Sequence, residues 1–267
     1  VLNGAEYLPD TIFLAKNGTL WAVGIQEKTH TSILSKYNDV EDEFIPVVDL
    51  NNALIFDGPV TTGVTEDSND LLWIAIPGVG LYKFDPQNSV ATAITPQDFD
   101  VNLINGYVAV DRQGIVWLGT YTNDFWRFLY RYDPKNNSFA KLSLGATGEN
   151  VESGVFIDSR DRLWIGDYAF WNINQPFPKE GSTGLNLIIR SPAFITQQVP
   201  FEDYYWVRPR ILFEDKAGNI WYSGAGLVFL NTNSGEWCKV FDGISIATED
   251  KEGLIWAVSD GSIYLHR

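Results

Sequence analysis

Six times along the chain a tryptophan follows a short polar turn at one fixed spacing, and nothing else in the sequence restricts the fold as strongly. Asp111-Arg-Gln-Gly114-Ile-Val-Trp117 sets the pattern, which returns as Asp215-Lys-Ala-Gly218-Asn-Ile-Trp221 and Asp250-Lys-Glu-Gly253-Leu-Ile-Trp256. Asp67-Ser-Asn-Asp70-Leu-Leu-Trp73 and Asp158-Ser-Arg-Asp161-Arg-Leu-Trp164 keep it with Asp in the glycine position. The first copy, Ala15-Lys-Asn-Gly18-Thr-Leu-Trp21, lacks the leading Asp. In the other five copies the Asp lies six residues ahead of the Trp.

Each copy reads as a β-hairpin. An alternating apolar run such as Tyr107-Val-Ala-Val110 precedes the turn and suits a strand. The Asp carboxylate can accept from backbone N–H groups just downstream, and Gly, or Asp in its place, tolerates a positive φ. The run through the Trp is the second strand. Gly80-Leu-Tyr-Lys-Phe84 and Leu129-Tyr-Arg-Tyr132 supply a third, followed by turn signals at Asp85-Pro, Asp133-Pro and Asn231-Thr-Asn-Ser-Gly235. A short fourth strand, such as Phe139-Ala-Lys-Leu142, completes the unit.

The tryptophans stand at positions 21, 73, 117, 164, 221 and 256, at intervals close to the period of propeller blades. A four-stranded unit has two apolar faces, and stacking such units around an axis buries both while leaving only short edges. The sequence therefore predicts an all-β fold: a single six-bladed β-propeller over residues 1–267, with four antiparallel strands per blade. All six tryptophans are expected in the packing between blades. The last unit ends after three strands, so Val1–Leu8 are expected to pair as the outermost strand of the last blade and close the ring.

Composition removes several functions. The longest apolar runs, such as Leu71–Ile76, are far shorter than the roughly 18 residues of a membrane-spanning helix, so no direct membrane insertion is expected. With 34 Asp+Glu against 19 Lys+Arg, the formal net charge of −15 repels phosphate backbones and anionic lipid headgroups. Nucleic acid is not an expected partner. Cys238 is the single cysteine, which leaves no intrachain disulfide. The chain starts at Val1 without a signal-like segment, as expected of a chain whose leading segment has been cleaved or trimmed away.

The signature Asp-x-x-Gly-x-(Ile/Leu/Val)-Trp-(Ile/Leu)-Gly, whole in Asp111–Gly119, resembles the two-component-regulator propeller repeat. Streptogramin-lyase-like propellers share the repeat style more distantly. The resemblance runs through all six Trp motifs and implies an extracytoplasmic sensor domain of a bacterial signalling protein: periplasmic, cell-surface or secreted. Large sensors of that kind carry more repeats, a further β-domain, a membrane span and kinase modules, so this chain is expected to be a fragment or a free-standing relative. The lyases are expected to hold a divalent metal with histidines and an acid. Only His30 and His266 occur here, which speaks against a lyase site.

Strand order assigns the loops to two rims. The turns between first and second and between third and fourth strands are short and stereotyped. The connections between second and third strands and from one unit to the next are long and irregular, and binding residues favour such loops on a rigid scaffold. That second rim is rich in aromatics outside the repeat register. Phe125, Trp126 and Arg127 follow the second strand of the third unit, and Phe170 and Trp171 that of the fourth. Tyr204, Tyr205, Trp206 and Arg208 precede the fifth. These nine residues form the candidate binding site, suited to a glycan, a peptide, a small molecule or a protein partner. Two other readings stay open: a local mini-core of loop aromatics, and structural ion pairs for the arginines.

Catalytic residues are not assigned. No Ser-His-Asp set, His-Glu-x-x-His, phosphate-binding glycine loop or Cys/His zinc pattern is present. Asp98, Asp100, Asp124, Asp167 and Asp260 could offer calcium its preferred oxygen ligands, but they form no ligand loop of recognisable spacing, so no metal or cofactor is assigned. The expected function is non-catalytic binding or sensing outside the cytoplasm. The alternatives are a structural or scaffold subunit using the same rim as a protein interface, and a lyase or glycoside-active enzyme.

Overall fold

Five of the repeat turns share one closure. The N–H of the residue at the Gly position donates to the carbonyl of the residue that opens the turn: Gly114 to Asp111 at 3.0 Å, Gly218 to Asp215 at 2.8 Å, Asp161 to Asp158 at 2.9 Å, Gly18 to Ala15 at 2.9 Å. The φ there is positive throughout, near 83° at Gly114 and 62° at both Asp70 and Asp161. That is why only Gly or a short polar residue stands there.

The Asp itself holds three donors. In the third repeat Asp111 Oδ1 accepts the N–H groups of Gln113 and Ile115, both at 2.9 Å, while Oδ2 accepts the Trp117 indole Nε1–H at 2.9 Å. The same indole bond joins Asp67 to Trp73 at 3.0 Å, Asp158 to Trp164 at 2.8 Å, Asp215 to Trp221 at 2.7 Å and Asp250 to Trp256 at 2.6 Å. The six-residue spacing is therefore the span of a side-chain staple across the hairpin.

These hairpins build six antiparallel sheets in the computed structural model, which describes residues 7–26, 31–50, 63–76, 80–94, 106–121, 126–146, 155–165, 169–172, 210–244, 246–259 and 262–266. The first holds β1 (Tyr7–Leu14), β2 (Leu20–Gln26), β3 (Thr31–Asn38) and β4 (Glu43–Asp49). The second holds β5 (Gly63–Glu66), β6 (Leu72–Ile76), β7 (Gly80–Asp85) and β8 (Val90–Ile94), and the third β9 (Tyr107–Val110), β10 (Val116–Tyr121), β11 (Trp126–Asp133) and β12 (Ser138–Ala146). Neighbours in sequence are neighbours in each sheet. These three lie in one unit, Val1–Gly148; the other three lie in a second, Glu149–Arg267.

Among the described residues of the second unit the sheets are three-stranded, where four strands were expected. The fourth sheet holds β13 (Val155–Ile157), β14 (Arg162–Ile165) and β15 (Ala169–Asn172); residues 173–209, where its outer strand would fall, lie outside the described residues. The fifth holds β16 (Arg210–Glu214), β17 (Ile220–Leu230) and β18 (Trp237–Ile244). Here β17 covers two expected strands: Ile220–Ser223 pair with β16, and the stretch from Gly224 to Leu230 pairs with β18. Gly224-Ala225-Gly226 interposes no polar turn, and Gly224 and Gly226 themselves pair with Ile244 and Asp242. The sixth holds β19 (Ile246–Glu249), β20 (Ile255–Ser259) and β21 (Ser262–His266), three strands as its sequence implied.

The expected ring closure by the N-terminus is corrected at its described end. Tyr7 and Leu8 pair with Gln26 and Ile25 of β2, inside the first sheet. A register shift at Pro9–Thr11 carries β1 that far. Residues 1–6 lie outside the described residues.

Between successive sheets within each unit, the tryptophan face of one packs on the next. Trp21 meets Leu72, Ile74, Tyr82 and Phe84 of the second sheet, with Phe84 edge-on at 5.4 Å. Trp73 meets Val116, Leu118, Tyr130 and Tyr132 of the third. Trp164 meets Ile220, Tyr222, Val228 and Leu230, and Trp221 meets Ala247, Ile255 and Ala257. Burying a large aromatic in this way stabilises by several kcal/mol, of order 3–5 on truncation to Ala. The sixth tryptophan departs from expectation. Trp256 is 41% exposed, against 4% or less for the other five.

Candidate functional site

The short-turn rim is occupied by its own hydrogen bonds. Asp85 accepts the N–H of Gln87 at 2.9 Å and the Asn88 side-chain amide at 2.7 Å, and Asp133 does the same with Lys135 and Asn136. The Asn88 amide, then the Gln87 N–H, hold the Asp85 carboxyl below the usual carboxylate range. Asn231 accepts from Asn233 and Ser234 in the fifth sheet. These acids thus hold the turns together through their side-chain hydrogen bonds.

The long-connection rim is only partly described, and there the strands reach further than expected. Trp126 and Arg127, read as loop residues, open β11: Arg127 pairs with Tyr121 of β10 and with Gly145 of β12, and Trp126 pairs with Ala146. Phe170 and Trp171, likewise read as loop residues, belong to β15, opposite Trp164 and Leu163 of β14. All four thus take places in the ladder of a third strand, where the sequence reading had set them outside the repeat register. The physical reason is ladder length. The antiparallel pairing continues to Tyr121 in one sheet and to Ile165 in the other, where it meets Ala169. Phe125, Tyr204, Tyr205, Trp206 and Arg208 lie outside the described residues, as do Asp98, Asp100, Asp124, Asp167 and Asp260. The structure therefore sets Trp126 beside Arg127 along β11 and Phe170 beside Trp171 along β15.

Two features escaped the sequence reading. Arg162, inside the fourth turn, donates from Nε to Asp158 Oδ2 at 2.5 Å and lies 5.2 Å from the centre of the Trp164 ring. It thus completes the staple in a turn where Asp158 is buried. His266, weighed as a metal ligand, stands edge-on to Trp221 at 5.9 Å and to Phe241 at 6.5 Å. The constant Asp-to-Trp spacing was a signal for the indole bond; nothing in the spacing pointed to His266. Among the described residues no group of three His, Cys, Asp or Glu side chains gathers as metal ligands would, and no helix is long and apolar enough to cross a membrane.

No protein-family model matches the chain, and no curated protein does. Solved structures do. The extracellular domain of BT3049, assigned to a hybrid two-component system of B. thetaiotaomicron, matches 95% of this chain with a TM-score of 0.60 at 17% identity. The fold is a β-propeller. PorZ, a surface component of the type-IX secretion system of Porphyromonas gingivalis, matches the propeller over 96% of its length with a TM-score of 0.57 at 14% identity. The oligogalacturonate lyase of Vibrio parahaemolyticus matches 97% with a TM-score of 0.54 at 8% identity, covering 79% of that enzyme. This chain spans about a third of the BT3049 domain (33%) and 40% of PorZ. At these identities the likeness establishes the fold alone.

Proposed function

We propose that this propeller is a non-catalytic binding or sensing domain that works outside the cytoplasm. It takes its ligand on the long-connection rim through Phe125, Trp126, Arg127, Phe170, Trp171, Tyr204, Tyr205, Trp206 and Arg208. The ligand is a glycan, a peptide or another small molecule. The observation that carries this reading is the division of labour among polar and aromatic groups. The repeat Asp side chains are engaged by turns and indoles, whereas the sequence carries further Tyr, Trp and Arg outside the turn motifs. Aromatic faces and guanidinium forks suit sugar rings, peptides and carboxylates. The likeness in fold to an extracellular domain of a signalling protein supports the setting.

The test is a thermal-shift screen against an oligosaccharide and peptide panel, since a ligand of the folded state raises the melting temperature. A hit should vanish in Trp126→Ala and in Trp206→Ala while the unliganded melting temperature stays near that of the parent. Unchanged affinity in both variants sinks the rim assignment. A second reading, a scaffold subunit, is favoured by the exposed apolar face of the sixth sheet, and it predicts a co-purifying protein in place of a small-molecule hit. The enzyme reading requires turnover that disappears when one rim acid is neutralised.

A further inference from the structure

The outer strand of a sheet offers its backbone N–H and C=O groups to any strand that can reach it, and charge, proline or a bulge on that strand prevents the pairing. The three four-stranded sheets of the Val1–Gly148 unit end in β4, β8 and β12. Strand β4 opens on Glu43, closes on Asp49, holds Pro46 at its middle and has a register shift opposite Leu34–Ser35. Strand β12 carries Lys141 and has a shift opposite Arg127–Phe128. Strand β8, Val90-Ala-Thr-Ala-Ile94, carries neither charge nor proline. Its ladder to β7 runs without a shift from Asp85–Val90 to Leu81–Ile94. Val90, Thr92 and Ala93 are exposed, and among the described residues β7 is the one strand that pairs with β8.

The strand also matches itself. Turned antiparallel about Thr92, a second β8 sets Val90 against Ile94, Ala91 against Ala93 and Thr92 against Thr92. β-Branched residues then meet β-branched residues, and two threonines meet at the centre. Such cross-strand pairs stabilise an antiparallel ladder, and no like charges oppose each other. A twofold interface requires this property, because each residue must suit its reciprocal residue in the copy. The same operation on β4 sets Glu43 against Asp49 and Pro46 against Pro46, which repels charge and removes donors.

We propose that β8 is a pairing edge for a second copy of this chain, with the twofold axis at Thr92. The two second sheets then share one ladder, which continues the β7–β8 pairing already present in each. Five residues a side make a small interface by the standard of specific complexes, so the dimer is weak and depends on concentration. Each copy carries a formal charge of −15, and salt screens the repulsion between copies, so the dimer tightens with ionic strength.

The test is sedimentation equilibrium on the 267-residue chain from about 10 μM to about 1 mM, where the apparent mass should climb from one chain toward two. Over the same range, exchange of the β8 amides directed away from β7 should slow severalfold, while exchange in β6, inside the sheet, should not change. Thr92→Lys opposes two ammonium groups at the axis and should keep the chain monomeric throughout. Thr92→Val keeps the β-branched pair and should keep the dimer. Thr92 is exposed, so both variants should melt near the parent. A chain that stays monomeric with fast β8 exchange overturns the proposal and leaves the edge to a strand of another protein. Slow exchange at every concentration also overturns it, since the edge is then covered within one chain. So does a dimer that survives Thr92→Lys or dissociates in salt, because its contact then lies elsewhere.

Discussion

The amide of Lys16 donates to Glu66 Oε2 at 2.7 Å, across the junction of the first and second sheets. One acid thus ties two repeats that are 50 residues apart in sequence. The contact is exposed, so Glu66→Ala should cost only about 0.5–1 kcal/mol in urea denaturation. Its sharper signature is local. Amide exchange at Lys16 should accelerate while exchange in β10, in the third sheet, does not change; uniform acceleration would mean that the bond does not act at the junction.

Asp111→Asn should be more costly than its near-isosteric shape suggests. Asn has one acceptor oxygen, whereas Asp111 serves the Trp117 indole with one oxygen and two backbone N–H groups with the other. One set of donors loses its partner in a buried turn, for an expected loss of about 1–3 kcal/mol. Urea denaturation gives the size, and faster exchange of either the Trp117 indole proton or the Ile115 amide shows which set is lost.

Most of the fold was legible because the repeat is a local device. A turn residue with positive φ, an Asp and a Trp six residues later lie within one hairpin, and a hairpin writes itself into contiguous sequence. Trp256 was misjudged for the complementary reason: its spacing specifies the staple to Asp250, but its burial depends on another sheet. Phe170 and Trp171 looked like loop because an aromatic run after Gly166-Asp167 breaks the alternation, yet pairing with β14 resumes at Ala169. Of the candidate site, four residues are now on strands, and no sequence pattern distinguishes a strand-end aromatic that packs from one that binds.

Gly106 should resist enlargement. A Cβ there would stand 2.9 Å from both the Cβ and the carbonyl oxygen of Ala75, in the second sheet. Backbone must move to admit it, so Gly106→Ala is expected to cost about 1–3 kcal/mol. Gly114→Ala meets no atom, and its penalty, from the positive φ alone, should be nearer 1 kcal/mol. Thermal unfolding of the pair separates crowding from backbone strain.

Acid should loosen the sixth turn late. The Trp256 indole first, then the Leu254 N–H, hold the Asp250 carboxyl below its ordinary range, with Glu252 and Lys216 adding to the effect. A carboxyl lowered in the folded state contributes stability that is full above the unfolded value and fades as pH falls through the folded one. The Trp256 indole resonance should therefore hold steady from pH 7 down to about 4, the unfolded carboxylate range, and move only below it. Movement between pH 5 and 7 contradicts this assignment, and Asp250→Asn should abolish the acid transition at this turn.

The central claim is that Trp73, Trp164 and Trp221 are stapled within their own repeats but buried against the next sheet. The most direct test compares Trp73→Ala with Trp256→Ala by urea denaturation of otherwise identical chains. Trp73 is 2% exposed and packs on the third sheet, so its loss should cost about 3–5 kcal/mol, as for other buried aromatics. Trp256 keeps the same bond to its Asp yet is 41% exposed, and its loss should cost less than half as much. Equal costs would contradict the account, because burial by a following sheet would then not distinguish the two.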